Sequence, residues 1–121
     1  MAKILVLDDV EDAVVLIRKI LSRKGHDVAG FTDEEEAVRF ATSNPVDLAI
    51  LDIKLKKLSG IEVLEELKKV HPQLKVVMLT GYPTLETARQ AVQLGASDYC
   101  VKPIEKEELE EKVRALVGPA G

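Results

Sequence analysis

Aromatic residues are nearly missing from this 121-residue chain, which has two Tyr, two Phe and no Trp. That scarcity argues against a surface that stacks on bases and against a flavin held between rings. Cysteine is scarcer still. The single Cys100 excludes an internal disulfide and a cysteine zinc cluster, and its place in the apolar run Tyr99-Cys100-Val101 reads as a buried core thiol. No apolar stretch approaches the length of a membrane span. The N-terminus reads as a strand and not as a signal peptide, so a soluble, cytoplasmic protein is expected. Positive charge is in deficit as well: 17 Lys+Arg against 21 Asp+Glu give a net charge of −4. Direct nucleic-acid binding is therefore not expected, and any control of DNA would pass through a partner or a further domain.

What the chain does have is a balance of 46% hydrophobic and 31% charged residues, which supports a packed core. The length suits one domain over residues 1–121, with Gly118-Pro119-Ala120-Gly121 a tail or the start of a linker. Short aliphatic runs at Ile4 to Leu7, Asp27 to Phe31, Leu48 to Leu51, Val76 to Leu79 and Tyr99 to Val101 read as strands. Three of them are apolar throughout, as a parallel sheet covered on both faces requires. Amphipathic stretches lie between them. Val10, Ala13, Val14, Ile17, Ile20 and Leu21 mark the first helix, and Leu109, Val113 and Leu116 the last. Thr32-Asp33-Glu34-Glu35 and Ser59-Gly60-Ile61-Glu62 fit the capping box, so helices should begin just after Thr32 and Ser59. Gly25, Gly95 and Gly118 stand where left-handed residues would end helices. Five β-α units predict an α/β fold: a five-stranded parallel sheet of flavodoxin-like order 2-1-3-4-5, with helices on both faces. Ligands of such sheets bind beyond the carboxyl ends of the strands, where the strand order reverses.

Polar residues stand where that rule asks for them. Asp8 and Asp9 follow the first strand, Asp52 the third, Thr80 the fourth and Lys102 the fifth. Strands one and three should be neighbours, which crowds three carboxylates together. Two unit charges about 4 Å apart repel by roughly 4 kcal/mol at an effective dielectric near 20. Raised pKa values or a bound cation must relieve that. Oxygen ligands without His or Cys point to Mg²⁺ or Mn²⁺. A carboxylate can also be a nucleophile that forms an acyl phosphate, and Asp52, at the end of a central apolar strand, is the best placed. Mg²⁺ and the Lys102 ammonium would neutralise the phosphoryl group, the Thr80 hydroxyl would donate to it, and Gly81 would leave it room. Taken singly, Asp9 reads equally as a helix cap, Thr80 as a turn residue and Lys102 as a surface lysine. Their convergence on one rim is what points to chemistry.

With these motifs in their order, the chain resembles the receiver domain of two-component response regulators. The matching pieces are Leu7-Asp8-Asp9, Leu51-Asp52 with Gly60 eight residues on, Thr80-Gly81, and Tyr99-Cys100-Val101-Lys102-Pro103, and they span Lys3 to Val117. The resemblance implies that Asp52 takes phosphate from a histidine of a sensor kinase, from a phosphotransfer protein or from a small phosphodonor. It implies that Asp9 and Asp52 bind Mg²⁺ directly, Asp8 through water, and Lys54 through its backbone carbonyl. Thr80 and Lys102 would hold phosphoryl oxygens, and Tyr99 would turn inward as Thr80 moves. The surface of the fourth helix, fifth strand and fifth helix, with Arg89, Gln90, Lys106 and Arg114, would then meet an effector domain or a second copy. Ala88, Ala91 and Val92 suggest small apolar contacts for that fourth helix. The Lys102–Pro103 bond would be cis. Such a protein is a signalling switch, not an enzyme, apart from gaining and slowly losing its own phosphoryl group.

Departures from the family pattern set further expectations. Receivers often carry Met-Pro-Gly where this chain has Leu55-Lys56-Lys57, and losing the proline should leave that loop freer. Lys54 and Tyr82 occupy positions that tune phosphoryl lifetime. His26 and His71 read as surface histidines, and the Lys56-Lys57 and Glu105 to Glu111 charges as solvated faces. Three other readings compete. A haloacid-dehalogenase-type phosphohydrolase would need a second carboxylate where Lys54 stands. An FMN carrier would not place Asp8-Asp9 in its phosphate loop. An inactive receiver-like interaction module would lack a key residue, and none is missing.

Overall fold

Strand and helix alternate five times in the computed structural model, which describes residues 1–118. The order is β1 (Lys3–Leu7), α1 (Glu11–Arg23), β2 (Asp27–Phe31), α2 (Glu34–Ser43), β3 (Leu48–Leu51), α3 (Gly60–Val70), β4 (Lys75–Thr80), α4 (Leu85–Gln93), β5 (Asp98–Val101) and α5 (Lys106–Val117). All strands pair parallel, in the order β2-β1-β3-β4-β5. The apolar runs explain the order. β1, β3 and β4 are buried along their whole length except at Lys3 and Lys75, so they take the centre, while the part-exposed β2 and β5 take the edges.

Alternate residues feed two cores. Leu5, Leu7, Leu51 and Met78 pack with Ala37, Leu64, Leu67 and Ala91 on one face. Ile4, Val6, Ile50 and Val77 pack with Ile17, Leu21, Leu109 and Val113 on the other. Each fully buried leucine or isoleucine contributes about 1.5–3 kcal/mol, so this double layer fixes the register firmly. In that register Leu7 lies opposite Leu51, and Thr80 opposite Val101. The residues just past the strand ends are thereby brought side by side. The ladder runs one step beyond the strands: the Asp52 N–H donates to the Leu7 carbonyl at 3.0 Å, and the Asp8 N–H to that of Phe31 at 3.2 Å.

Helix boundaries follow the capping chemistry with one correction. Ser59 caps α3 by accepting the Glu62 N–H at 3.2 Å, as expected. The cap of α2 is Asp33 and not Thr32: its carboxylate accepts the Glu36 N–H at 3.0 Å and also meets the Lys57 ammonium at 2.9 Å. That second partner, 24 residues away, decides between two adjacent residues that could each cap. Gly25 and Gly95 turn the chain out of α1 and α4 at φ 89° and 90°, which L side chains rarely adopt. Gly118 follows α5, and the remaining tail, 119–121, lies outside the described residues. Two surface expectations are corrected as well. His26 is buried, its Nδ1 accepting the Ala2 N–H at 3.3 Å, because it closes the turn beneath β1. Val92 faces solvent at 71% exposure, so of the α4 residues only Ala91 is fully packed. Among the described residues, no helix is long and apolar enough to cross a membrane.

Candidate functional site

Two strand ends deliver three carboxylates to one place. Asp8 and Asp9 sit just past β1 and Asp52 just past β3, and one oxygen of each lies within 4.8 Å of the others. Asp8 and Asp52 are buried, and Asp9 is partly exposed. Lys102, just past β5, answers them: its Nζ donates to Asp8 Oδ2 at 2.5 Å and to Asp52 Oδ2 at 3.1 Å. The second oxygens are held by local backbone, Asp8 Oδ1 by the Val10 N–H at 2.9 Å and Asp52 Oδ1 by the Ile53 N–H at 2.7 Å. A cavity of about 330 Å³ opens beside them, lined by Asp9, Asp52, Lys54, Gly81, Tyr82 and Lys102, with Val10 and Leu55 at its walls.

The charges behave as their crowding dictates. Burial, then the Asp8 and Asp52 carboxylates, push the Asp9 pKa above the ordinary aspartate value. Burial alone would lower the pKa of Lys102, but its hydrogen bonds to Asp8 and Asp52 outweigh that and raise it. Lys102 therefore stays charged and bridges the two buried carboxylates, offsetting half of their charge and leaving Asp9 without a lysine partner. The donor set fits a small hard divalent cation, because all three side chains offer oxygen and none offers nitrogen or sulfur.

Asp9 carries a penalty that substitution should lift. Its raised pKa means that the folded chain holds this proton to higher pH than the unfolded chain does. Stability is lost as pH rises from about 4 through the raised value, and the loss persists at neutral pH. In EDTA at pH 7, Asp9→Asn should be more stable than wild type by about 1 kcal/mol, a figure kept low because the group is partly solvated. The gain should vanish below about pH 4. Melting curves at pH 3.5 and 7 check this, and a destabilised Asp9→Asn at pH 7 refutes it.

The remaining expected residues divide between cavity and interior. Lys54 reaches the cavity mouth, where its ammonium lies 4.3 Å from the centre of the Tyr82 ring. Thr80, which precedes the cavity-lining Gly81, is fully buried, with Oγ1 accepting the Tyr82 N–H at 3.0 Å. That occupies a lone pair and leaves the hydroxyl hydrogen for another acceptor. Tyr99 is not in the cavity. Its hydroxyl pairs with Thr87 Oγ1 at 2.8 Å and accepts the Thr84 N–H at 3.4 Å, so it is tied to the start of α4. The sequence reading had missed Thr84 and Thr87, although Thr84 is a typical N-cap and accepts the Thr87 N–H at 3.0 Å. The Lys102–Pro103 bond is cis.

A family model described as the response regulator receiver domain matches residues 4–114. Among curated proteins, the chain is 38% identical over 115 residues to the alkaline phosphatase synthesis transcriptional regulatory protein PhoP of Bacillus subtilis. The match covers 95% of this chain and 48% of that protein, so the chain spans about half the length of that relative. Among solved structures, a CheY-like response regulator receiver domain protein from Methanospirillum hungatei superposes with a TM-score of 0.91 at 32% identity. It covers 95% of this chain and 92% of the other. A response regulator from Burkholderia pseudomallei, solved with a phosphorylated aspartic acid, a calcium ion and citrate, superposes with a TM-score of 0.87 at 30% identity. That match covers 96% of this chain and 66% of the other.

Proposed function

The chain belongs to the response regulator receiver domain family, and on that premise we propose that it takes a phosphoryl group onto Asp52 in a Mg²⁺-dependent step and so switches a partner-binding surface. The observation that carries this reading is the cluster of Asp8, Asp9 and Asp52 oxygens within 4.8 Å of one another, bridged by Lys102 and open to a cavity. In the transfer, an Asp52 oxygen forms the new P–O bond as the P–N bond of a phosphohistidine donor breaks, and the leaving imidazole keeps the electron pair. Asp9 and Asp52 would hold Mg²⁺ directly and Asp8 through water, and the Lys54 carbonyl would complete the set. Bound there, Mg²⁺ supplies positive charge against the phosphoryl oxygens. Lys102 exchanges one carboxylate partner for a phosphoryl oxygen, and Thr80 uses its remaining hydroxyl hydrogen on another. Lys54 and Tyr82, in contact at the mouth, stand where water would approach the acyl phosphate and so set its lifetime.

The donor is a sensor histidine kinase or a phosphotransfer protein in the cytoplasm, and the output runs through α4, β5 and α5. Leu85, Val92 and Val101 are each more than half exposed on this side, which suits an effector domain or a second copy of the chain. Its charges are partly paired already, Lys106 with Glu110 at 3.0 Å and Arg114 with Glu111, so apolar contact is the stronger attraction there. Intact mass after acetyl phosphate, with Mg²⁺ or with EDTA, tests the reading. A single phosphoryl adduct only with Mg²⁺ is expected, and no adduct under either condition overturns it. Sedimentation with and without beryllofluoride tests the output: a rise in mass on activation at high micromolar protein marks a homodimer, and an unchanged mass removes it.

A further inference from the structure

Between β3 and α3 the chain runs Ile53-Lys54-Leu55-Lys56-Lys57-Leu58-Ser59, with no proline to stiffen it. Free backbone of that composition would wander. The structure nevertheless ties it at both ends and at its far side. The Gly60 N–H donates to the Ile53 carbonyl at 2.7 Å, closing the loop at its base. The far side is held by Glu34, from the first turn of α2. Its side chain is 1% exposed, and one carboxylate oxygen accepts the Lys57 N–H at 2.5 Å and the Leu58 N–H at 2.8 Å. Outside that buried pair, the Lys57 ammonium reaches Asp33 at 2.9 Å and Glu35 at 3.5 Å.

A glutamate at this place reads in sequence as an acid near a helix N-terminus, where it would be solvated and worth little. Burial changes its meaning. A carboxylate removed from water needs strong donors, and here both come from the backbone of another element. Resting on the phosphoacceptor reading, we infer that Glu34 is a positioning residue for the reaction. It replaces the missing proline as the restraint on the loop, and so fixes Lys54, whose carbonyl that reading assigns to Mg²⁺ and whose ammonium covers Tyr82.

The test compares wild type with Glu34→Gln, Glu34→Ala and the double variant Glu34→Ala/Lys56→Pro. Amide exchange, Mg²⁺ titration by amide shifts, and phosphorylation by acetyl phosphate are measured on each. Glu34→Ala should deprotect Lys57 and Leu58, weaken Mg²⁺ about tenfold, and slow phosphorylation at low Mg²⁺ while the rate at saturating Mg²⁺ stays within about threefold. Glu34→Gln keeps an acceptor oxygen and should fall between. Lys56→Pro, which restrains the same loop by another route, should recover most of the Mg²⁺ affinity without restoring the Glu34 hydrogen bonds. Unchanged Mg²⁺ affinity in both single variants, with Lys57 and Leu58 deprotected, overturns the inference and leaves the phosphoacceptor reading intact. A double variant no better than Glu34→Ala also overturns it. Wild type that gains no adduct at Asp52 overturns the phosphoacceptor reading, and the inference with it.

Discussion

Asp52→Asn should gain no phosphoryl group from acetyl phosphate under conditions that label the wild-type chain fully. The three carboxylates of the cluster are not equivalent, and the difference decides which one can attack. Asp8 has one oxygen on the Val10 N–H and the other on Lys102 at 2.5 Å, the shorter of the two lysine contacts, and it does not line the cavity. Lys102 reaches Asp8 and Asp52 but not Asp9, and on the proposed reading Asp9 spends its charge on Mg²⁺. Asp52 keeps Oδ1 on its neighbour's N–H and turns Oδ2 toward Lys102 at the longer 3.1 Å, beside the cavity. An asparagine there retains the shape and a hydrogen-bonding oxygen but has no anionic oxygen to form the P–O bond. The loss should therefore be complete, more than a hundredfold, with the fold intact because Lys102 still pairs with Asp8. Intact mass and peptide mapping check it. Label at Asp8 or Asp9 in this variant, or an unchanged adduct yield, would falsify the assignment.

The sheet was legible because the information for it is local. Three wholly apolar runs cannot sit at an edge, and the five β-α units leave little freedom in connecting them. The strand-end carboxylates were legible for a related reason, since parallel strands in register bring the residues after them to one rim. What escaped was decided between distant elements. Thr32 and Asp33 are equal candidates for a cap until Lys57 arrives from another loop to favour Asp33. Glu34 is one acid among three until two N–H groups of that same loop bury it. Tyr99 could turn to either side of its strand, and the hydroxyls of Thr84 and Thr87 are what it finds. Lys102 was placed correctly at the rim, but the carboxylates it joins become visible only in three dimensions.

Gly60→Ala should unfold at a temperature lower than wild type by roughly 10 °C or more, a loss of about 3 kcal/mol or greater. Alanine is the better helix former, and by propensity alone the change at the first residue of α3 would be harmless or favourable. Geometry reverses that sign. A Cβ on Gly60 would lie 1.9 Å from the Asp52 carbonyl oxygen and 2.7 Å from both the Asp52 carbonyl carbon and the Ile53 Cα. All three are backbone atoms of the segment that leaves β3, so no side chain can rotate away to make room. The close approach is enforced by the 2.7 Å hydrogen bond from Gly60 to Ile53, which must lengthen or break. Relief can come only by moving Asp52 itself, so phosphorylation should fall along with stability. Gly81→Ala is the internal control, because a Cβ there meets nothing within 4 Å. It should change stability by less than about 0.5 kcal/mol. Melting curves of both variants in EDTA, followed by acetyl phosphate labelling of Gly60→Ala and wild type below the lower midpoint, separate the two effects. A Gly60→Ala chain within 1 kcal/mol of wild type would mean that the Asp52–Gly60 contact is slack, and that the Asp52 backbone is not held by the turn that follows it.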